Sequence, residues 1–218
     1  MKSIPANRRS RENHRVCLPF SDFALRSSHS TAISMTSRIA SPWSSPVVSD
    51  RPSNGASQLR TIFVDGVDVA LTHGNRLFFS CRGIRECVDY FKRRGHKDIL
   101  VFVPQCRRET SRTDSPITEQ EILVELEKEG HIVWTPSRKV KGIGLICYNT
   151  NLMLKGALVK RAIVVSGNSY ETATAKNPDY RAHIKDNLLL YAFMNGKFIA
   201  PQDPRGRRGP NLATFLRR

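Results

Sequence analysis

The sequence has no long apolar run and no paired cysteines, and these absences exclude two classes of protein. No apolar stretch approaches the roughly 18 residues that a membrane-spanning helix requires. The five cysteines show neither CxxC pairs nor the Cys/His spacing of zinc ligands, so neither a zinc site nor a disulfide framework is expected. A reducing compartment fits this cysteine pattern, and we expect no membrane contact.

Acidic residues are also scarce. The chain of 218 residues carries 19 Asp and Glu against 35 Lys and Arg, which gives a net charge of +16. Nine of the basic and three of the acidic residues lie in residues 1–60, so both parts of the chain carry an excess of positive charge. Such a surface favours a polyanionic partner, and nucleic acid is the first candidate.

The apolar residues are concentrated in one part of the sequence. Residues 1–60 contain fourteen Ser and five Pro and show no sustained periodicity, whereas the dense apolar runs fall between residues 61 and 200. We therefore predict a disordered basic Ser/Arg-rich tail over residues 1–59 and one folded domain over residues 60–218. A mitochondrial presequence is the less favoured interpretation of the tail; we expect a cytoplasmic protein, with ribonucleoprotein granules or the nucleus as alternatives.

One stretch organises the folded part. Residues 61–68, TIFVDGVD, read as a buried parallel strand that delivers Asp65, and with it Asp68, to the carboxyl edge of a sheet, where ligands bind in α/β folds. The opposite interpretation is that Asp65 only caps the next helix. Further strands are predicted at residues 99–103, 132–135, 144–148 and 162–166, alternating with helices, which indicates a mainly parallel sheet.

The connections between these strands are predicted from local signals. We expect a loop over residues 66–79, a helix over 81–94 capped by Ser80, and a capping box of Thr118 and Glu121 at the next helix. A helix over residues 179–190 and a hairpin with Asn195-Gly196 at its turn follow, and Asn211 is expected to cap a last short helix.

Several motifs then carry a family resemblance over residues 60–218. They are FVDG at 63–66, HGN at 73–75, FSCRGI at 79–84, RGH at 94–96, VFVP at 101–104, PIT at 116–118, TPSR at 135–138, CY at 147–148, VVS at 164–166, DP at 203–204, GP at 209–210 and FLR at 215–217. In this order they resemble the Regnase (MCPIP) family of NYN/PIN-like endoribonucleases. The resemblance implies a PIN-like three-layer α/β/α sandwich, and acidic groups that hold Mg²⁺ for hydrolysis of RNA.

Most of the acidic positions implied by the resemblance are occupied by other residues. Asp65 is kept, but the family's Asp-Gly-Ser-Asn reads here Asp-Gly-Val-Asp, so that Asp68 replaces an asparagine. Four positions at which the family has aspartates are held by Asn149, Thr150, Asn168 and Thr172. The favoured interpretation is a catalytically degenerate site. The alternative is an active Mg²⁺-dependent endoribonuclease in which Asp65 and Asp68 bind the metal and Glu171 assists.

Cations around the expected site complete the predicted function. Six basic residues fall in predicted loops or first turns of helices, and we expect them to contact RNA phosphates. They are Arg82, Arg107, Arg108, Arg138, Lys139 and Lys141. His73 and His96 are not assigned acid/base roles. The family usually continues into a CCCH zinc finger, which this sequence does not contain, so specificity is expected from the domain surface, the tail or a partner. We predict an RNA-binding protein of RNA turnover or silencing, acting as a homodimer or with a catalytically active relative; a scaffold without RNA is a third interpretation.

Overall fold

A computed structural model describes residues 58–109, 116–140, 144–147 and 149–218, with backbone alone for 138–140 and 144–147. The predicted tail over residues 1–59 therefore lies almost wholly outside the described residues, as does Lys141. Among the described residues no helix is long and apolar enough to cross a membrane.

The centre of the fold is a sheet of five parallel strands, which confirms the predicted α/β class. Its strands are β1 (Ile62–Asp65), β3 (Ile99–Pro104), β5 (Ile132–Thr135), β8 (Ile163–Val165) and β9 (Leu188–Leu189), in the spatial order β5-β3-β1-β8-β9. The central strand β1 pairs in register with β3 on one side (Ile62 with Ile99) and with β8 on the other (Ile62 with Ile163). Its four residues are all buried, because helices cover both faces of the sheet.

Helices form a layer on each face, so the molecule is the three-layer sandwich that was expected. The helices are α1 (Gly66–His73), α2 (Cys81–Lys92), α3 (Glu121–Lys128), α4 (Asn149–Lys160), α5 (Glu171–Lys176), α6 (Pro178–Asn187) and α7 (Leu212–Phe215), with a short 3-10 turn at Gln105–Arg108. One core cluster joins α1, α2 and α3 to one face of the sheet, through side chains such as Ile62, Phe91 and Leu126. The other joins α4 and α6 to the opposite face through Phe63, Met153 and Ile184.

Three small ribbons lie outside this sheet. They pair β2 (Phe79–Ser80) with β4 (Ile117–Thr118), β6 (Ser137–Val140) with β7 (Gly144–Cys147), and β10 (Ala192–Met194) with β11 (Lys197–Ile199). The last is the predicted hairpin: Asn195 and Gly196 both have positive φ, 50° and 71°, as a tight turn between antiparallel strands requires.

The predicted loop over residues 66–79 is wrong, because its first half forms α1. The glycine that suggested a turn has a packing role instead. A Cβ atom on Gly66 would lie 2.8 Å from Val103 Cγ2 and 2.9 Å from the Phe102 carbonyl oxygen, so only glycine lets α1 begin this close to β3. Asp65 supplies the cap for α1, since its side chain accepts a hydrogen bond from the Asp68 N–H.

Four further predictions of local structure are corrected. The capping box fails because Thr118 is extended in β4, and α3 starts at Glu121 without a side-chain cap. Ser80 does not cap α2, since its Oγ lies 2.8 Å from His73 Nδ1. The strand at 144–147 pairs antiparallel with β6 rather than entering the main sheet. The helix α6 ends at Asn187, because Leu188–Leu189 extends beside β8. Asn211 does cap the last helix, accepting from the Thr214 N–H at 2.9 Å.

Candidate active site

The carboxyl ends of the central strands meet at Asp65. This residue ends β1 and is the N-cap of α1, with φ −73° and ψ 91°, and its Oδ1 accepts from the Asp68 N–H at 3.2 Å. Asp65 and Asp68 thus lie three residues apart at the same helix N-terminus, where the helix dipole favours negative charge. The structure therefore places both predicted carboxylates at the expected edge of the sheet, and it also confirms that Asp65 caps the helix.

The Asp65 carboxylate is almost fully enclosed. It is 4% exposed, and Tyr170 donates its hydroxyl to Oδ2 at 2.8 Å while the Asn149 amide donates to Oδ1 at 3.4 Å. Burial, and then the negative charge of Asp68, raise the pKa of Asp65 to about 6, although the hydrogen bonds from Tyr170 and from the backbone oppose that rise. The site consequently holds a carboxylate whose charge is only partly compensated.

Asp68 also accepts three hydrogen bonds, all of them at one oxygen. It is 5% exposed, and its Oδ2 accepts from the Gly167 N–H at 2.6 Å, from the Tyr191 hydroxyl at 2.8 Å and from Ser166 Oγ at 3.2 Å. Its Oδ1 lies 4.0 Å from Arg76 Nη2. Asp68 therefore joins the first turn of α1 to the residues that follow β8 and β9, at the positions where parallel strands end.

Asn149 connects the pair of carboxylates to the edge strand β5. Thr135, the last residue of β5, donates its hydroxyl to Asn149 Oδ1 at 3.1 Å. Because the amide oxygen accepts this bond, the amide nitrogen is turned towards Asp65. The residue is 6% exposed, at the start of α4. A position at which the resemblance implied an aspartate thus presents a hydrogen-bond donor to Asp65.

The other three positions at which the resemblance implied acids are more exposed than Asn149. Thr150 is half-buried in the first turn of α4, whereas Asn168 and Thr172 are exposed. Glu171, the acid of the alternative interpretation, is also exposed, and its carboxylate accepts from Ser169 Oγ at 3.2 Å.

These residues do not fit a magnesium site. Mg²⁺ requires oxygen ligands in near-octahedral array, usually with one or two free carboxylates. Among the residues that the structure describes, no three His, Cys, Asp or Glu side chains are grouped closely enough to hold a metal. Three of the four oxygens of Asp65 and Asp68 accept hydrogen bonds, and the fourth faces the guanidinium of Arg76.

The predicted RNA-contacting cations have varied surroundings. Arg82 forms an ion pair with Glu119, and Arg108 pairs with Glu127 while its guanidinium lies 4.4 Å from the centre of the Trp134 ring. Arg107 stacks over Phe79 at 4.7 Å. Arg138 and Lys139 lie on β6, whose side chains are outside the description. Their contact with RNA stays a prediction.

Sequence reasoning did not identify Tyr170, Tyr191, Ser166 and Arg76 as members of this site. Tyr191 lies two residues after the end of β9, so a polar residue just beyond a recognised fifth strand would have been the available signal. Arg76 had a weaker signal, because its left-handed backbone (φ 60°), next to Asn75 (φ 52°), turns the loop after α1 towards Asp68. No local pattern announces that conformation for arginine.

Comparison with known proteins defines the class to which this fold and site belong. Residues 58–214 match the family described as the Zc3h12a-like Ribonuclease NYN domain. The chain therefore belongs to this family, as the resemblance to Regnase-type proteins implied.

An individual relative supports the same assignment. The endoribonuclease rege-1 of Caenorhabditis elegans is 46% identical over 176 residues, which cover 79% of this chain and 27% of that protein. The chain thus spans about a quarter of the length of this relative. Two structures of the nuclear protein-only RNase P 2 of Arabidopsis thaliana are also similar, each with a TM-score of 0.49. The first is 15% identical and the match covers 65% of this chain and 29% of that protein. The second is 16% identical and the match covers 67% of this chain and 30% of that protein.

Proposed function

We propose that this protein is an RNA-binding member of the Regnase-like NYN family that acts in RNA turnover or silencing with a catalytically degenerate site. The observation that carries the proposal is the filling of the site by donors from the chain itself. Tyr170 and Asn149 donate to Asp65, and Gly167, Ser166 and Tyr191 donate to Asp68. In a metal-dependent nuclease, carboxylates such as these would bind the cation. Here they accept hydrogen bonds from the protein instead.

The electrostatics of Asp65 support the same conclusion. A bound divalent cation would be the largest local charge and would hold both carboxylates ionised. The described residues supply no equivalent: Arg76 is the one guanidinium paired with this carboxylate pair in the described residues, at 4.0 Å and largely in solvent. The pKa of Asp65 accordingly rises to about 6 through burial and the neighbouring charge of Asp68.

An active Mg²⁺-dependent endoribonuclease is the second candidate, and one observation favours it. Asp65 and Asp68 repel each other at neutral pH, and a cation between them would relieve that repulsion. Against this candidate, Glu171 is exposed and hydrogen-bonded to Ser169 rather than directed to the pair. In this case Asp65 and Asp68 would hold the metal, which would supply Lewis-acid activation of water.

The RNA-binding half of the proposal rests on charge. With a net charge of +16, the protein should retain a labelled stem-loop RNA on a filter at low salt and release it between about 50 and 300 mM salt. Binding that does not respond to salt, or no binding at all, would contradict this half and leave the scaffold interpretation.

The proposed catalytic degeneracy is tested by placing a carboxylate at position 149, beside Asp65. We expect the unmodified protein to leave the RNA intact in Mg²⁺ or Mn²⁺ and to show no change of melting temperature with either ion. Asn149→Asp should gain a Mg²⁺-dependent rise in melting temperature, because a carboxylate then replaces the amide beside Asp65. Asn151→Asp, on the exposed side of the same helix, is the matched control and should gain none.

Cleavage by the unmodified protein that disappears in Asp65→Asn would overturn the degenerate-site proposal and establish the enzyme. The proposal also includes pairing with a catalytically active relative and a cytoplasmic location. Co-purification of the protein with an active family member from the cytoplasmic fraction tests both.

A further inference from the structure

A second cluster of cations lies at the opposite edge of the sheet from Asp65. Arg60 precedes β1 and Arg161 precedes β8, so both lie at the amino ends of parallel strands. The five steps along the chain from Arg60 to Asp65 span about 16.5 Å at about 3.3 Å per residue in an extended strand. This cluster is therefore separate from the candidate active site.

The cluster surrounds two adjoining hollows of about 500 and 760 Å³ that share Arg161 and Arg218 as lining residues. We call them together the basic groove. Its five cations are Arg60, Lys160, Arg161, Arg217 and Arg218. Arg161, Arg217 and Arg218 are exposed, so their guanidinium groups can reach a ligand.

Acidic residues do not neutralise the basic groove. Three acidic side chains line it, against five cations. Asp98 accepts from Thr61 Oγ1 at 2.6 Å and forms an ion pair with Lys160 at 3.9 Å, and Asp186 accepts from Arg205, which lies outside the groove, at 3.0 Å. Asp179 is the third, and it is exposed. The groove thus keeps an excess of positive charge.

Arg60 differs from the exposed cations of the groove in the surroundings of its guanidinium group. It is half-buried, yet within the described part of the chain its guanidinium has no carboxylate partner. It donates to the carbonyl oxygens of Arg161 at 3.0 Å and Phe215 at 3.4 Å, and to the side chain of Asn187. Burial, and then the charge of Arg218, lower the pKa of Arg60, as expected for a cation placed beside another without an acid.

The backbone holds this cluster in place. Residues 58–60 and 216–218 run antiparallel: Arg60 N–H donates to the Leu216 carbonyl at 2.9 Å, and Arg218 N–H donates to the Gln58 carbonyl at 3.0 Å. Arg218 Nη2 also reaches the Lys160 carbonyl at 3.3 Å. Because the backbone of these residues is already ordered, the freedom that they lose on binding a ligand is that of their side chains.

We propose that the basic groove binds the phosphodiester backbone of single-stranded RNA, so that RNA bound by this protein contacts both edges of the sheet. The inference rests on the proposed RNA-binding function and adds a second contact surface to it. Arginine guanidinium groups match phosphate oxygens through paired N–H donors, and such contacts position RNA without reading its sequence.

The test compares two double variants that lose the same charge. Arg161→Gln with Arg218→Gln removes two exposed groove cations; Arg93→Gln with Lys128→Gln removes two exposed cations from the opposite helical layer. Binding of a fluorescein-labelled single-stranded 20-mer is followed by anisotropy over a range of salt concentrations. Losing two phosphate contacts should reduce the salt slope by about 1.4 and weaken binding about 25-fold at 0.1 M salt.

The control variant should retain most of the affinity. Equal losses in both variants, or an unchanged slope in the groove variant while the wild type binds RNA, would overturn the groove and leave the proposed function intact. If the wild type binds no RNA, the proposed function itself fails and the groove assignment fails with it. Binding of a polyglutamate probe in place of RNA would also overturn the assignment, in favour of an acidic protein partner. Unfolding curves of both variants in urea should match the wild type, since all four residues are exposed.

Discussion

Replacing Asp65 by asparagine tests whether this buried carboxylate titrates with a raised pKa, as expected if no metal ion is bound to it. The pKa of Asp65 is about 6 in the folded protein against 3.8 for an ordinary aspartate. Because the folded-state pKa is raised, the stabilising contribution of this group is fully present below pH 3.8 and is lost as the pH rises through 6. A difference of 2.2 between the two pKa values corresponds to about 3 kcal/mol, at 1.36 kcal/mol per unit.

The variant Asp65→Asn lacks this titration, because its amide stays neutral. The difference in free energy of unfolding between variant and wild type should therefore move in favour of the variant by roughly 2 kcal/mol between pH 4.5 and 7.5, which is most of the full effect. Any constant loss from a poorer hydrogen bond to Tyr170 cancels in this comparison. Urea denaturation at several pH values, with and without Mg²⁺, gives the measurement.

Two results would refute this reasoning. Parallel stability curves for variant and wild type would show that Asp65 does not titrate in this window. A Mg²⁺-dependent gain in wild-type stability that is absent from the variant would show that a cation binds Asp65 and would favour the enzyme. Asp203→Asn, which removes the same charge at an exposed loop position, is the control and should not reproduce the shift.

Three further predictions concern the residues around the site and the helical layer. Tyr191→Phe removes the hydroxyl that donates to Asp68 and should cost about 1.5–3 kcal/mol of unfolding free energy, measured in urea. Gly66→Ala should cost about 1–3 kcal/mol, because its methyl group has no room beside β3. The pKa of Glu129 is lowered to about 2 by hydrogen bonds from Lys92 and Arg85. The stability that this group contributes above pH 4.5 should therefore be lost as the pH falls through 2. Glu129→Gln should make the melting temperature less dependent on pH in this acidic range.

Each of these has a control or a contrary result. Tyr180→Phe removes a hydroxyl from another half-buried tyrosine. An equal loss of unfolding free energy in that variant would contradict the role of Tyr191 as a donor to the Asp68 carboxylate. Gly66→Ala with wild-type stability would mean that α1 can shift away from the sheet. An acid limb that keeps its slope in Glu129→Gln would assign the acid sensitivity to other carboxylates.

Much of the fold could be predicted from local patterns in the sequence. The strands β1, β3, β5 and β8 were found as short runs of β-branched and aromatic residues, because a strand buried on both faces needs apolar side chains throughout. The hairpin at Asn195-Gly196 and the Asn211 cap were also found, since each depends on residues within four positions.

Predictions failed where contacts distant in sequence decided the local structure. Gly66 looked like a loop residue, and only the approach of Val103 shows why glycine begins a helix there. Leu188–Leu189 looked helical, but pairing with β8 makes it extended. Thr118 had the sequence of a helix cap, yet its backbone pairs with β2.

The family, the mainly parallel sheet and the positive charge could all be predicted from the sequence, because they depend only on residue types and their order. The hydrogen-bond donors that surround Asp65 and Asp68 became visible only in the folded chain. Tyr170 and Tyr191 lie more than 100 residues from the carboxylates they contact, and the crossing of the chain between strands brings them together. The basic groove has the same origin, since it unites the two ends of the folded domain with the end of α4.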